Sequence, residues 1–583
     1  MPLIGTAGHV DHGKSTLIQA LTGRDPDRWE EEKRRGLTID LGFAWTDLDG
    51  QEVSFVDVPG HERYLKNMLA GIEAIDVALF VVAADEGWKP QSEEHLAVLD
   101  LLGIDTGVVA LTKSDLVDDE HLARTAAEVS KQLEGTTLEA AEIVPVSART
   151  GTGLDHLQSI LANLCSGAIA TGDRPRLWVD RVFTVSGAGT VVTGSLLDGP
   201  VEVGETVEIL PGRLVARVRG LQSHDTFVDR AEPGRRVALN LTGIDRHQIQ
   251  RGSMIGLPGQ WLMASRFTAR LRHARYLREL PSRGAFHLHF GSGAYLVDVK
   301  RTDGDLALLE TPSSLPMRTG DRFILRDTGR RMVVAGGVVI DPGPGAAAKC
   351  LADAAQVDPT GSRDEIATDL LAVRGIDELA RLAAHSGGGR PVDAVVAGGT
   401  ALTGEHFEAL ATKLEEAVSA YHEKHPMRPG ISPATLATSL DIAPDLVERL
   451  IDESPVLTRT GPEVARVDRL LDRETDAGQP WNEAESLLRA GLAVPNVSDL
   501  GLDRELLHLL IREKKLVRIS DDLVFLPDQV DQISALIRDM EDGFTVAEFR
   551  DRSGLSRKFA VPLLEWSDRE GLTIRRGDKR HLR

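Results

Sequence analysis

A glycine-rich segment near the N-terminus contains residues that can bind the phosphates of a nucleotide. Residues 8–15 have the sequence GHVDHGKS, which matches the phosphate-loop pattern G-x-x-x-x-G-K-[ST]. The segment lies between a predicted strand and a predicted helix, so backbone amides and a helix N-terminus would face the phosphates. Lys14 is expected to pair with the β- and γ-phosphates, and Ser15 to ligate Mg²⁺. The predicted phosphate-binding residues are Asp11, His12, Gly13, Lys14, Ser15 and Thr16.

A second motif is predicted to complete the phosphate site. Residues 57–61, DVPGH, follow an apolar run. Asp57 is expected to hold Mg²⁺ through water, and the Gly60 amide to sense the γ-phosphate. A D-x-x-G segment alone is more often a plain turn. Its position after a buried strand, downstream of a phosphate loop, favours the functional interpretation.

Two further segments indicate guanine as the base. Residues 112–115 are TKSD and residues 147–149 are SAR, and each follows an apolar run. The Asp115 carboxylate can accept hydrogen bonds from both the N1–H and the exocyclic amine of guanine, a donor pair that adenine lacks. The predicted base-contacting residues are Thr112, Lys113, Asp115, Ser147, Ala148 and Arg149. Together the motifs predict a GTPase that binds GTP or GDP with Mg²⁺.

The elements around these motifs predict a parallel α/β domain. Short apolar runs separated by helix-length segments occur at residues 3–7, 53–58, 77–84, 107–111 and 143–146. Such runs are typical of strands buried on both faces, and ligands bind at the carboxyl ends of those strands. We therefore expect an α/β P-loop GTPase domain over residues 1–172.

The rest of the chain predicts two β-barrel domains and four winged-helix modules. Residues 173–259 and 260–343 are rich in Val and Thr with closely spaced turn signals, as in small barrels. Farther on the chain becomes mostly helical, and a weak repeat suggests helix–turn–helix units that are each followed by a hairpin. We expect these tandem winged-helix modules at residues 350–412, 413–472, 473–528 and 529–583.

Composition limits the class of protein. The 583 residues include 89 acidic and 67 basic side chains, for a formal net charge of -22. This balance argues against a general nucleic-acid coat, although a local basic surface can still bind phosphates. No apolar stretch is long enough to cross a bilayer, the N-terminus lacks a signal-peptide pattern, and Cys165 and Cys350 are the only cysteines. We therefore expect a cytoplasmic monomer without a membrane partner, a disulfide framework or a cysteine zinc site.

The N-terminal domain resembles the translational GTPases. The shared segments are GHVDHGKS, RGLTI at residues 35–39, and DVPGH. The resemblance implies that Thr38 joins the Mg²⁺ shell only when GTP is bound, and that His61 is catalytic and positions the attacking water. It also implies that Val10 and Leu37 flank this water as an apolar gate. Phosphoryl transfer requires placement and charge stabilisation more than covalent chemistry, which suits such a site.

Thr112 departs from the pattern of this superfamily, most of whose members have Asn at the position. Without the amide we expect weaker tethering of the nearby loop. Lys113 and Asp115 are retained, so the preference for guanine should survive.

The two predicted barrels resemble the second and third domains of elongation factor Tu, in the segments 184–194, 320–327 and 335–339. The added winged-helix modules make the whole similar to the bacterial selenocysteine-specific elongation factors (SelB), which segments 177–183 and 234–240 also match. This resemblance implies that Asp180, Arg181 and Arg236 line a pocket for selenocysteine. Two guanidiniums would favour the selenol anion over a seryl hydroxyl. The alternative is that these arginines form ion pairs on the barrel surface.

The last module is predicted to bind RNA. Ser556 is expected to cap a helix whose core face carries Phe559, Leu563 and Trp566, and Pro562 is expected to bend or shorten it. A basic hairpin follows at residues 574–580. The predicted RNA-binding residues are Arg557, Lys558, Arg575 and Arg576. The residues alone do not separate RNA from DNA, but the family resemblance implies an mRNA hairpin, with selenocysteinyl-tRNA and the ribosome as the other partners.

Two other functions stay open from the sequence. One is a different carrier GTPase related to elongation factor Tu, such as an initiation-factor or sulfate-activating relative. The other is a GTP-gated winged-helix regulator that binds DNA.

Overall fold

The structure is a computed structural model in which two compact units, residues 1–394 and 395–583, can be distinguished. Each unit is described by itself. The residues described are 2–26, 41–59, 75–166, 172–185, 187, 189–279, 284–301, 304–344, 350–425, 428–468 and 478–583.

The N-terminal domain is an α/β sandwich around a six-stranded sheet of order β2-β3-β1-β4-β5-β6. Its strands are β1 (Leu3–Gly8), β2 (Gly42–Leu48), β3 (Gln51–Asp57), β4 (Val77–Ala83), β5 (Gly107–Thr112) and β6 (Glu142–Pro145). Its helices are α1 (Lys14–Thr22), α2 (Pro90–Leu101), α3 (Asp119–Leu133) and α4 (Leu154–Cys165), and short 3-10 turns occur at Val10–His12 and Ser114–Leu116.

The predicted mostly parallel sheet is confirmed. Strands β1, β3, β4, β5 and β6 run parallel, and every residue of β1 and β4 is buried. Strand β2 was not predicted, and it pairs antiparallel with β3 at the sheet edge. Its sequence, GFAWTDL, mixes buried and half-exposed positions, because an edge strand is covered less completely than a central one.

Two closed β-barrels follow, as predicted. The first barrel has the order β10-β15-β7-β8-β14-β11-β12, and pairing of β10 with β11 closes it. Its strands, including a separate β9–β13 pair, are β7 (Arg176–Val185), β8 (Gly189–Leu197), β9 (Val201–Glu202), β10 (Thr206–Leu210), β11 (Leu214–Ser223), β12 (Thr226–Val228), β13 (Arg230–Ala231), β14 (Arg235–Thr242) and β15 (Met254–Gly256). A 3-10 turn, Arg246–Gln248, precedes β15.

The second barrel closes in the order β16-β19-β18-β17-β20-β21. Its strands are β16 (Met263–His273), β17 (Phe286–Phe290), β18 (Gly293–Arg301), β19 (Leu306–Pro316), β20 (Arg322–Asp327) and β21 (Met332–Asp341). After it the first unit continues through α5 (Cys350–Ala354), α6 (Arg363–Arg374), β22 (Ile376–Glu378) and α7 (Leu379–Ser386).

The second unit is a series of helices and short hairpins, in agreement with the predicted winged-helix fold class. Its helices are α8 (Gly404–Lys424), α9 (Pro433–Leu440), α10 (Pro444–Glu453), α11 (Gly478–Leu488), α12 (Arg504–Arg512), α13 (Pro527–Arg538), α14 (Val546–Ser553) and α15 (Arg557–Arg569), with a 3-10 turn at Val497–Asp499. Its strands are β23 (Val395–Ala397), β24 (Thr400–Leu402), β25 (Leu457–Thr460), β26 (Glu463–Arg466), β27 (Val517–Arg518), β28 (Val524–Phe525), β29 (Phe544–Thr545), β30 (Thr573–Arg576) and β31 (Lys579–Leu582).

Two predicted module boundaries are wrong because they cut through helices. The boundary after residue 412 falls inside α8, whose buried Leu414 and Val418 pack in one core with Leu436 and Leu446 of the second module. The boundary after residue 528 falls inside α13, which begins at Pro527. A helix whose buried face packs into one core cannot be divided between modules, and the buried apolar residues of α8 and of α13 each lie in a single core. The predicted boundary after residue 472 lies outside the described residues.

None of the helices within the described ranges combines the length and the apolar character that crossing a bilayer requires.

Candidate functional site

The phosphate loop, residues 8–15, joins β1 to α1, and its two glycines have conformations that other residues rarely adopt. Gly13 has a φ of 82° and directly precedes α1. Gly8 has a φ of 132°, and a Cβ atom there would lie 2.1 Å from the carbonyl oxygen of Val81 on β4. A side chain at position 8 would therefore push the loop away from the sheet.

Lys14 is buried within the loop, with 3% of its surface exposed. Its Nζ donates hydrogen bonds to the carbonyl oxygens of Gly8, at 3.1 Å, and His9, at 2.7 Å. The ammonium group is thus fixed among the backbone atoms of the segment predicted to surround the phosphates. This position fits the role predicted for Lys14.

The two described residues predicted to serve Mg²⁺ lie side by side. The Ser15 hydroxyl donates to Oδ2 of Asp57 at 2.6 Å, although the two residues are 42 positions apart. Asp57 is fully buried, and the Thr6 hydroxyl donates to its Oδ1 at 2.7 Å. A hydroxyl and a carboxylate are oxygen ligands of the kind that Mg²⁺ prefers, so this donor set fits the ion.

The loops predicted to bind guanine are adjacent at the same edge of the sheet. The Ser114 amide donates to the Val146 carbonyl at 3.2 Å, which links the segment after β5 to the segment after β6. Nε of Arg149 lies 3.8 Å from Oδ2 of Asp115, and the Lys113 ammonium contacts Glu86 at 3.0 Å. Ser147 is buried at the start of its loop, with Ala148 half-buried behind it.

Thr112 contacts the phosphate loop through its hydroxyl group, a contact that the sequence analysis did not consider. Its hydroxyl donates to the carbonyl oxygen of His12 at 2.7 Å and also approaches the carbonyl oxygen of Val82 at 3.3 Å. Strand β5 is therefore tied to the phosphate loop without an amide side chain. The expectation of a weaker tether, which rested on the missing Asn, does not account for this hydroxyl.

Helix α2 contributes two residues that the sequence analysis missed. Nδ1 of His95 accepts a hydrogen bond from the Gly8 amide at 2.9 Å, and Oε1 of Gln91 accepts one from the Val10 amide at 3.2 Å. Both residues lie more than 80 positions after the loop, so no local motif reveals them. The apolar spacing of a buried helix gives no signal that a histidine within it faces a loop.

The histidines around the loop are kept neutral by burial. Burial lowers the pKa of His12 from 6.5 to about 4, with smaller effects from neighbouring groups. It also holds the pKa of His95 well below its usual range. The predicted phosphate-binding residues Asp11 and Thr16 are exposed beside them. Near neutral pH, the rings of His12 and His95 therefore add no positive charge beside Lys14.

Four residues of the predicted site lie outside the described residues: Leu37, Thr38, Gly60 and His61. Val10, the other predicted gate residue, is described and half-buried.

The predicted amino-acid pocket contains a tight cluster between the GTPase domain and the first barrel. Arg236 on β14 donates from Nε and a terminal nitrogen to the two carboxylate oxygens of Asp180 on β7, at 3.0 and 2.9 Å. The Thr193 hydroxyl donates to Asp180 at 2.6 Å. The Arg236 guanidinium also lies 4.2 Å from the ring centre of Phe43, on β2. The ion pair is thus half-buried against the GTPase domain rather than on an open barrel surface.

Arg181 reaches the same part of the GTPase domain, where it donates to the Leu41 carbonyl at 3.2 Å. A cavity of about 70 Å³ lies between the two domains and includes Phe43, Thr193 and Arg236 in its wall. His224 and Trp45 also line this cavity, and their rings stack with centroids 4.9 Å apart. Asp180, although it belongs to the cluster, and Arg181 do not line this cavity.

The last winged-helix module contains a basic groove, which we call the C-terminal groove. A cavity of about 380 Å³ is lined by Thr545, Val546, Ala547, Arg550, Arg557, Val561, Glu565, Arg575, Asp578 and Arg580. Of the predicted RNA-binding residues, Arg557 on α15 and Arg575 on β30 therefore meet in one groove, whereas Lys558 and Arg576 are exposed outside it. Arg550 on α14 was not predicted and lines the same groove.

The helix α15 differs in two details from its prediction. Ser556 occupies the N-cap position, but its side chain makes no capping hydrogen bond. Pro562 does not shorten the helix, which continues to Arg569. Burial of Leu563 and Trp566 in the core of the second unit holds the helix together past the proline.

Four sequence families match successive parts of the chain. They are "Elongation factor Tu GTP binding domain" at residues 1–166, "Elongation factor Tu domain 2" at 189–256, "Selenocysteine-specific elongation factor, beta-barrel domain" at 264–346, and "Elongation factor SelB, winged helix" at 535–582. The order of these families is the order of the domains in the structure.

Similar proteins and structures extend over most or all of the chain. The selenocysteine-specific elongation factor of Desulfomicrobium baculatum is 35% identical over 637 aligned positions that cover 100% of both chains. A crystal structure of a bacterial selenocysteine-specific elongation factor, EF-Sec, superposes with a TM-score of 0.74 at 29% identity and covers 100% of both chains. The elongation factor SelB of Methanococcus maripaludis in complex with the GTP analogue GppNHp gives a TM-score of 0.53 at 28% identity, over 59% of this chain and 79% of that one. The chain belongs to the family of selenocysteine-specific elongation factors.

Proposed function

We propose that the chain binds selenocysteinyl-tRNA in its GTP form, delivers it to the ribosomal A site at UGA codons, and hydrolyses GTP when the ribosome stimulates it. The observation that carries the proposal is the cluster of Lys14, Ser15 and Asp57 at the carboxyl edge of the sheet. A buried ammonium beside a hydroxyl–carboxylate pair is what a nucleotide triphosphate and its cation require. The similarity to the Methanococcus maripaludis protein bound to the GTP analogue GppNHp supports the same ligand class.

Mg²⁺ would be held by Ser15 and, through water, by Asp57, with Thr38 added in the GTP form. When bound, the ion neutralises charge on the phosphate oxygens. His61 is proposed to orient the attacking water, and Val10 and Leu37 to flank it. The phosphate loop amides and Lys14 bind the phosphates, while Asp115 selects the base.

The cargo pocket is proposed at the cluster of Asp180, Arg181 and Arg236. Two guanidiniums and one carboxylate give this cluster one net positive charge, next to a small, partly apolar cavity whose wall also contains Asp225. A selenol is an anion at neutral pH, whereas a serine hydroxyl is neutral. Positive charge in a half-buried place therefore favours the selenolate, because solvent screens it less than at the surface.

The C-terminal groove is proposed to bind the phosphates of an mRNA hairpin. Arg550, Arg557 and Arg575 converge there from two helices and the hairpin wing. Arginines on three elements can contact phosphates along a folded RNA backbone. Binding the messenger would keep the carrier near its codon and raise its effective concentration there.

The test is protection of the aminoacyl ester from spontaneous hydrolysis. With GTP, the purified chain should protect selenocysteinyl-tRNA strongly, and protect seryl-tRNA and cysteinyl-tRNA little. Equal protection of the selenocysteinyl and seryl forms would contradict the proposed cargo. Absence of GTP binding would contradict the proposed switch.

A matched pair of variants assigns the selectivity to the pocket. Arg236→Lys keeps the charge but removes the two-nitrogen contact with Asp180, so protection of selenocysteinyl-tRNA should fall selectively. Arg266→Lys makes the same exchange at a second-barrel ion pair with Glu310 and should leave protection unchanged. Equal effects of the two substitutions would remove Arg236 from the pocket.

A further inference from the structure

Helix α2 contacts the phosphate loop through side chains that the proposed chemistry does not use. His95 lies in the middle of α2 and has 2% of its surface exposed. Its Nδ1 accepts the Gly8 amide hydrogen at 2.9 Å. Burying a ring nitrogen without a partner would destabilise the fold, so this hydrogen bond satisfies both groups at once.

The bond to His95 holds the point at which the chain leaves β1 and enters the loop. On one side of Gly8 the Val81 carbonyl leaves no room for a Cβ atom. On its carbonyl side, Gly8 accepts the Lys14 ammonium at 3.1 Å. Gly8 thus links the two residues. His95 fixes the position of the Gly8 amide, and the Gly8 carbonyl in turn fixes the position of the Lys14 ammonium.

The tautomer of His95 follows from this geometry. Nδ1 must be unprotonated in order to accept from an amide, so the ring proton resides on Nε2. Burial holds the pKa of His95 well below its usual range, and the nearby Lys14 charge acts in the same direction. The acceptor is therefore present at any pH near neutrality.

A second hydrogen bond joins α2 to the loop, and an ion pair holds α2 against the second barrel. The side-chain oxygen of Gln91, one turn before His95, accepts the Val10 amide at 3.2 Å. At the other end of α2, the Asp100 carboxylate pairs with Arg272 of the second barrel at 3.0 Å. The second barrel holds α2 at one end, and α2 contacts the phosphate loop near its other end. The position of α2 therefore does not depend on the loop.

We propose that His95, assisted by Gln91, is a positioning residue of the phosphate site: by accepting the Gly8 amide it holds the loop in the conformation that binds nucleotide, and so slows nucleotide dissociation. This inference rests on the proposed binding of GTP and adds two residues to it. Both side chains are proposed to act through the backbone, since His95 accepts from the Gly8 amide and Gln91 from the Val10 amide.

The experiment measures the dissociation rates of fluorescent GTP and GDP analogues from the full chain. His95→Leu removes the acceptor at similar size, and dissociation of both nucleotides should become about tenfold faster. His95→Asn places its side-chain oxygen at the position of Nδ1, one bond from Cγ, and should restore most of the slow dissociation. Ser92→Ala removes a hydroxyl from the same helix that lacks a partner among the described residues, and should match the parent chain.

The outcomes separate this inference from the proposed function. If the parent chain binds no GTP analogue, the proposed function itself fails. If the parent binds but His95→Leu dissociates at the parent rate, or His95→Asn dissociates as fast as His95→Leu, only the positioning role is overturned. A loss that arises merely from a weakened helix would not be rescued by Asn.

Gln91→Leu keeps the inference testable if His95→Leu does not fold. Gln91 is half-exposed, so its replacement should preserve the melting temperature. Because its bond to the loop is longer, we expect dissociation to become about threefold faster. An unchanged dissociation rate in Gln91→Leu, together with parent-rate dissociation from His95→Gln, whose acceptor lies one bond farther from the backbone, would overturn the positioning role of α2. Slower release from His95→Asn than from His95→Gln would support it.

Discussion

The phosphate loop and the C-terminal groove are both proposed to contact phosphates, but they are built in opposite ways. Lys14 is 3% exposed and held by two backbone carbonyls, and Gly8, His12 and Ser15 each have a side-chain partner from another strand or helix. In the groove, Arg557 and Arg575 are exposed and come from different elements of one small module.

The difference shows how each region would achieve selectivity. An enclosed loop recognises a phosphate chain by fixed amides and a buried charge, so solvent ions screen it weakly. An open groove binds through charges that attract any polyanion, and its affinity depends on salt. Tethering therefore matters in the loop, whereas the number and spacing of charges matter in the groove.

The largest expected effect is on the loop. Lys14→Met should weaken binding of a fluorescent GTP analogue by about 100-fold, because a buried charge-assisted contact is lost. Hairpin RNA binding by the same variant should be unchanged. Near-normal GTP affinity would show that the loop amides bind the phosphates without Lys14. It would contradict the contrast between a buried charge in the loop and exposed charges in the groove.

A second effect concerns the stability of the loop in acid. The pKa of His12 is lowered by burial from 6.5 to about 4, so between these values the unfolded chain takes up a proton that the folded chain does not. The free energy of unfolding should therefore decrease as the pH falls from 6.5 to 4, by up to about 3 kcal/mol from this residue. Urea unfolding at several pH values should show a smaller pH dependence in His12→Asn. The same dependence in both proteins would contradict the assignment.

A third effect tests the groove. Arg557→Ala and Arg575→Ala should each weaken binding of a selenoprotein mRNA hairpin by about tenfold and lower its salt slope by about one. Arg552→Ala is the control, since Arg552 lies on α14 but pairs with Asp539 at 2.6 Å outside the groove. If the control weakens binding as much as the two groove variants, the surface rather than the groove binds RNA.

The smallest expected effect is on the Thr112 tether. Thr112→Val keeps the shape but loses the 2.7 Å bond to the His12 carbonyl, so affinity for GTP should fall by about fivefold, or about 1 kcal/mol. Thr112→Ser retains the hydroxyl and should stay near the parent in the same fluorescence titration. Equal losses in both variants would assign the effect to packing instead of the hydrogen bond.

Much of the architecture was predictable because its signals are local. The apolar runs of β1, β3, β4, β5 and β6 and the change from barrels to helical modules follow from hydrophobic patterning over short windows. Module boundaries were harder to predict, and α8 and α13 show why. Packing into one core carries each helix across the predicted boundary, and no local sequence signal marks that packing. The predicted cytoplasmic location, the monomeric state and the roles of the site residues stay predictions.

The sequence by itself determined which groups can do chemistry: the loop GHVDHGKS, the Asp57 carboxylate, the loops predicted to bind guanine and the arginines of the last module. Only the tertiary structure decided how those groups are held. His95 accepts the Gly8 amide from 87 residues away, Thr112 bonds to His12 across 100 residues, and Arg550 joins Arg557 in one groove. Sequence motifs identify the residues that face a ligand. The residues that hold them in place come from distant segments that pack together, and no local spacing in the sequence encodes that packing.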